Sequence, residues 1–159
     1  MTPGPQGYSL PIPDDARRRL AAGWLALGLA ALVGSGLFAV LLVLSRSPYT
    51  KNLFVDLDFF RIALVVHVDL SVLVWFAAMG GMLWSLNSTP RALAAGWAAL
   101  WLALAGTLLM CIAPFTGSAV PVMSNYIPVV DGPWFLAGLV VFAAACALGV
   151  LAAPLWVRL

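Results

Sequence analysis

The stretch FFRIALVVHVDLSVLVWFAAMGGMLWSL, residues 59–86, decides the fold of this chain. It is an apolar run of helical length, and about 20 such residues cross a hydrocarbon core ~30 Å thick. The run holds the only histidine of the chain, His67, and two residues further on the carboxylate Asp69. A central Asp costs roughly 2.5–3.5 kcal/mol on membrane-insertion scales. A helix that keeps both groups therefore indicates either a function for them or their burial against another helix.

Three further apolar runs, residues 20–44, 93–113 and 134–157, account for most of the remaining chain. Charged residues make up 9% of the composition, compared with about 25% in soluble domains. The sequence therefore predicts an all-α fold, a single membrane domain in which four transmembrane helices cross the lipid bilayer. The net charge of +2 gives no indication of nucleic-acid binding.

The arginines predict how the helices are oriented. A triplet precedes the first run, and basic residues are enriched on the cytoplasmic side of membrane proteins. Both chain termini are therefore expected inside, and the helices are expected in the inner (plasma) membrane of a bacterium, since the excess of arginine over lysine suggests GC-rich coding. This orientation gives an inner group of Arg17, Arg18, Arg19, Arg91 and Arg158 and an outer group of Arg46, Lys51 and Arg61.

The second outer connection, residues 114–133, is long and apolar. Its sequence PFTGSAVPVMSNYIPVVDGP contains four prolines and a single charge, Asp131. Loops longer than ~12–15 residues without their own secondary structure are usually functional or disordered. We therefore expect this loop to lie flat on the membrane surface or on a partner.

His67 lies eight residues into its helix, which places it ~12 Å deep at 1.5 Å per residue. Gly34 and Gly36 of the antiparallel first helix fall at a similar or slightly deeper level, and Ser71 shares the face of His67. Two interpretations are open. In the first, His67 is an iron ligand and the glycines leave room for a flat heme. In the second, His67 is a buried hydrogen-bonding residue and the glycines allow close helix packing.

Asp69 lies about 200° round the helix from His67 and has no basic neighbour one turn away. A proton path or a contact with another helix would each explain it, and the sequence leaves both open. Because the chain has a single histidine, a second heme ligand would be a methionine or would come from another chain. Met79 and Met82 lie too deep on the same helix to reach an iron held by His67.

One family shares these features. FFRIALVVHVDLSVLVWF (59–76), preceded by GSG (34–36) and followed by SNYIPVVDGPWFLAGL (124–139), resembles the N-terminal part of subunit I of heme-copper oxidases. The likeness is nearest to the bacterial cytochrome c oxidase and nitric oxide reductase-like branches. It covers nearly all of the chain but only the first four of the family's many helices. The resemblance implies that His67 is an axial ligand of a low-spin heme.

The resemblance further implies a b- or a-type heme whose second axial ligand comes from another chain. The family's copper ligands and high-spin heme ligand lie in later helices, so a partner subunit of a respiratory oxidase complex is expected to carry them. This chain alone would then transfer electrons without being catalytic. Two alternatives stay open: a cofactor-free membrane scaffold or assembly subunit, and a homodimeric b-type cytochrome that uses one His67 from each chain.

Overall fold

The computed structural model describes residues 13–53, 59–117, 120–123 and 128–152, which form an all-α bundle of four long helices. Each helix is long and apolar enough to cross a membrane, which confirms the predicted architecture. The observed bounds extend the predicted ones by a few residues at most ends, and the predicted continuation of the fourth helix to residue 157 lies outside the described residues. The helices are α1, Ala16–Arg46; α2, Phe59–Asn87; α3, Pro90–Phe115; and α4, Pro133–Ala152.

The first helix begins four residues before its apolar run because Asp15 caps it. The Asp15 carboxylate accepts a hydrogen bond of 2.8 Å from the backbone N–H of Arg17 and pairs with its guanidinium. These side-chain and backbone hydrogen bonds from Arg17 lower the pKa of Asp15. Nη1 of Arg17 also donates to the carbonyl oxygen of Ser88 at 2.7 Å. The start of α1 is thereby fixed to the turn between α2 and α3.

Small residues allow the helices to approach closely. A Cβ atom added to Gly106 of α3 would lie 2.7 Å from the backbone oxygen of Gly138 in α4 and 2.7 Å from the backbone nitrogen of Phe142. On the other side of the bundle, Gly81 of α2 accommodates the indole ring of Trp24 from α1. Interfaces of membrane helices are typically built from such residues, since backbones can then pack without intervening side chains.

The second helix contains a π-helical turn at Leu70–Val74. There the N–H of Trp75 bonds to the carbonyl of Leu70, five residues earlier. The turn divides α2 into α-helical segments Phe59–Asp69 and Trp75–Asn87. Turns of this kind are rare and frequently occur at functional sites.

The second outer connection has structure of its own, which the sequence did not predict. Strands β1, Val120–Val122, and β2, Val129–Asp131, pair antiparallel, and both contact α2. The ring of Phe115 lies 5.7 Å from that of Phe59 and 6.3 Å from that of Phe38, measured between centroids. The described parts of the connection therefore pack against α1 and α2 in their own chain. The expected contact with a membrane surface or a partner stays a prediction.

Candidate functional site

His67 and Ser35 join α2 to α1 by three hydrogen bonds. Nδ1 of His67 lies 2.8 Å from the backbone carbonyl oxygen of Ser35 and 2.9 Å from its hydroxyl oxygen. The Ser35 hydroxyl in turn lies 2.9 Å from the carbonyl oxygen of His67, to which it donates. The imidazole therefore meets α1 at the depth expected from the sequence, and the residue that it contacts there is Ser35.

These contacts determine the tautomer of the neutral imidazole. A carbonyl oxygen only accepts, so Nδ1 must carry the proton that points towards Ser35. The hydroxyl proton of Ser35 is directed to the carbonyl of His67, so the hydroxyl oxygen is free to share the Nδ1 proton. Nε2 is then left with its lone pair, and it has no hydrogen bond within the described part of the chain. Metal-binding histidines show the same pattern, with the second ring N–H held by a carbonyl, carboxylate or water.

The two glycines beside Ser35 have different surroundings. A Cβ atom at Gly36 would meet no atom within 4 Å, and the residue is exposed. A Cβ atom at Gly34 would lie 3.4 Å from Cδ1 of Leu70, which is ordinary packing against α2. Gly36 thus leaves open surface next to the half-buried His67, whereas Gly34 belongs to the helix interface. The role of both glycines as a heme wall stays a prediction.

Ser71 bonds to the backbone of its own helix. Its hydroxyl donates to the carbonyl oxygens of His67 at 3.0 Å and of Val68 at 3.1 Å. The carbonyl of His67 therefore accepts from two hydroxyl groups, those of Ser35 and Ser71. Ser71 supports the helix at the histidine, and its predicted part in cofactor binding stays a prediction.

Asp69 is 3% exposed and makes no hydrogen bond or ion pair with another described residue. It is the last residue before the π-helical turn. Ionisable residues inside membrane helices are rare and usually mark ion, proton or ligand sites. The proton path and the helix contact predicted for Asp69 both stay predictions.

An uncharacterised protein of Rickettsia prowazekii is similar to this chain. The two are 29% identical over 147 residues, which cover 77% of this chain. The chain spans 29% of the length of that curated relative. Neither a protein-family model nor a solved structure matches the chain.

Within the described residues there is no group of three or more His, Cys, Asp or Glu side chains that could hold a metal ion. A heme iron needs only one or two axial ligands from protein, so His67 alone is a sufficient contribution from one chain. Sequence reasoning found this histidine and missed Ser35. The sequence feature that could have identified Ser35 is its hydroxyl group between Gly34 and Gly36, at the depth of His67.

Proposed function

We propose that this chain is a heme-binding electron-transfer subunit of a respiratory heme-copper oxidase-type complex, in which His67 is one axial ligand of a low-spin heme. One observation supports this proposal above all. The Ser35 carbonyl accepts the Nδ1 proton of His67 at 2.8 Å, and Nε2 keeps its lone pair for a metal. Similarity to a rickettsial protein is consistent with a location in a bacterial inner membrane.

Three residues of this chain would support His67 as the axial ligand. Ser35 fixes the plane of the imidazole through two acceptors for one N–H. Ser71 supports the backbone carbonyl of His67, and Gly36 leaves the adjacent surface free of side-chain atoms. A heme bound there, of b or a type, would supply one-electron redox chemistry.

Other subunits would complete the complex. A second axial ligand and the catalytic centre would come from a chain that carries the remaining helices of the family. Asp69, buried in α2 without a partner among the described residues, would line a proton path towards that centre.

A second candidate function is a cofactor-free scaffold or assembly subunit. The observation that favours it is that Ser35 already satisfies Nδ1 and the carbonyl of His67, so the histidine can act as a helix-to-helix contact. Removal of the imidazole would then weaken assembly without changing the heme content.

The test uses the complex purified from its native membranes through a tag on this chain, as wild type, His67→Ala and the control Ser45→Ala, whose hydroxyl bonds to the carbonyl of Leu42. We expect a low-spin α-band in the reduced-minus-oxidised spectrum of wild type and Ser45→Ala, and its loss in His67→Ala, with the partner subunits still present. Heme per chain, measured as the pyridine haemochrome, should fall in parallel. An unchanged α-band in His67→Ala would refute the ligand assignment and leave the scaffold.

A further inference from the structure

A cavity of about 250 Å³ lies at the opposite end of the bundle from His67. All four helices contribute to its walls, at the end where α1 begins and α2 ends. The lining is almost wholly apolar and rich in glycine and alanine. Its walls include Trp24 of α1, Gly80 and Trp84 of α2, Ser88 directly after α2, Gly96 of α3, and Cys146 of α4.

The cavity has the length of one bilayer leaflet. Its lining follows α2 from Ala77 to the turn at Ser88, which is ~16 Å at 1.5 Å per residue. This length is about half of a hydrocarbon core ~30 Å thick. The shape therefore fits a single apolar chain that enters from the membrane surface and ends near the middle of the bilayer.

Trp84 provides a polar group in this wall. Its indole Nε1 is the one buried side-chain nitrogen or oxygen without a hydrogen-bond partner in the described part of the chain. An indole N–H can only donate, and leaving it unpaired in apolar surroundings is unfavourable. Because Trp84 lies three residues before the end of α2 at Asn87, it sits at the depth where tryptophans meet the lipid interface. The ring of Trp84 therefore lines the cavity at the depth of the lipid headgroups, and its buried Nε1 is closed to the cavity itself.

Arginines outnumber carboxylates among the described residues at the same end of the bundle. Arg17 reaches the carbonyl of Ser88, which lines the cavity. Arg19 and Arg91 each immediately precede a residue of the cavity wall, are exposed, and have no ion pair or hydrogen bond to another described residue. Basic pockets between membrane helices on the cytoplasmic side bind anionic lipid headgroups.

We propose that this cavity is a binding site for an anionic phospholipid. One acyl chain fills the space between the helices, and the phosphate lies beside Arg19 and Arg91. The site is independent of the proposed heme, since His67 lies at the other end of α2.

The test measures lipid retained by the full chain. The protein is purified in detergent with equal amounts of phosphatidylglycerol and phosphatidylcholine of the same acyl chains, and native mass spectrometry counts the bound lipids. We expect wild type to retain phosphatidylglycerol in preference. The double variant Arg19→Gln/Arg91→Gln should keep lipid but lose the headgroup preference.

Gly80→Leu tests whether a side chain that fills the cavity excludes the lipid. A Cβ atom at Gly80 meets nothing within 4 Å, so a larger side chain can fill the cavity without a backbone clash. We expect this variant to lose most of the bound phosphatidylglycerol while circular dichroism shows unchanged helicity. Ala105→Leu, at an exposed position of α3 outside the cavity, is the matched control and should retain lipid. Equal retention in Gly80→Leu and wild type, or a quinone or a polypeptide in place of the lipid, would overturn the proposal.

Discussion

At the scale of single residues, the imidazole of His67 is oriented mainly by a backbone group. The Ser35 carbonyl cannot be removed by substitution, whereas the hydroxyl can. Ser35→Ala keeps the 2.8 Å hydrogen bond from Nδ1 of His67 to the backbone carbonyl of residue 35. It removes the 2.9 Å contact between Nδ1 and the hydroxyl, and also the hydrogen bond from the hydroxyl to the carbonyl of His67. Loss of such a supporting group typically reduces metal affinity by about 10–100-fold.

We therefore expect Ser35→Ala to bind heme weakly rather than not at all. In a heme titration of the purified complex, its occupancy should lie between those of wild type and His67→Ala. Ser45→Ala on the same helix is the control, since among the described residues its hydroxyl bonds to the carbonyl of Leu42 alone. Occupancy equal to that of wild type would mean that the hydroxyl does not support the ligand.

Asp69 gives a second prediction at this scale. Its carboxylate is buried without a partner among the described residues, and an Asp inside an apolar helix costs roughly 2.5–3.5 kcal/mol. Asp69→Leu should therefore raise the free energy of unfolding of the isolated chain by about 2 kcal/mol. Denaturation with sodium dodecyl sulfate in mixed micelles, followed by circular dichroism, measures this change. A destabilised Asp69→Leu chain would contradict the prediction and show that the carboxylate is bound within it.

At the scale of the helices, the contact between α3 and α4 depends on the absence of side chains at Gly106 and Gly138. A Cβ atom at Gly106 would lie 2.7 Å from backbone atoms of α4, which cannot move as a side chain can. We expect Gly106→Ala to lower the free energy of unfolding by about 1–3 kcal/mol, the usual cost of overpacking. Gly80→Ala, where the added carbon meets nothing within 4 Å, should change it little. Equal stability of the two variants would mean that α3 and α4 pack farther apart.

The sequence predicts some elements of this fold much better than others. Apolar runs bounded by charges and prolines indicated all four helices, because length and hydropathy determine what can cross a bilayer. The π-helical turn at Leu70–Val74 has no such pattern, since every residue in it but one is apolar. The short β-hairpin was missed because each strand has only three residues, in a segment whose prolines suggested irregular structure.

The candidate site was predictable to the same limited extent. His67 was identifiable because it is unique and lies in an apolar run. Its contact with Ser35 depends on the rotation of α1 and α2 about their axes, and helices that are apolar on all sides do not specify that rotation. The cavity beside Trp84 was missed for a related reason, since it depends on where small residues of four helices coincide.

At the scale of the whole molecule, the orientation of the bundle in the membrane is directly testable. The arginine triplet predicts that the α2–α3 turn faces the cytoplasm and the α1–α2 connection faces outward. In a chain whose two cysteines are replaced by alanine, Tyr49→Cys should react with a membrane-impermeant maleimide on intact cells. Asn87→Cys should react only after the cells are broken. Both positions are exposed, so the reverse pattern would show that the helices run the other way.

The stoichiometry of heme separates the electron-transfer subunit from a homodimeric cytochrome. One chain has one histidine, so ligation of a low-spin iron by two histidines needs a second polypeptide. The outer face of α1, which includes the exposed residues Leu29, Val33 and Leu37, offers apolar surface to lipid or to further helices. We expect the chain produced alone to fold without a low-spin heme and the chain purified with its partners to contain one low-spin heme per chain. Heme and protein assays on both preparations measure this ratio. One heme per two chains in the protein produced alone would favour the homodimer, because two copies of His67 would then suffice.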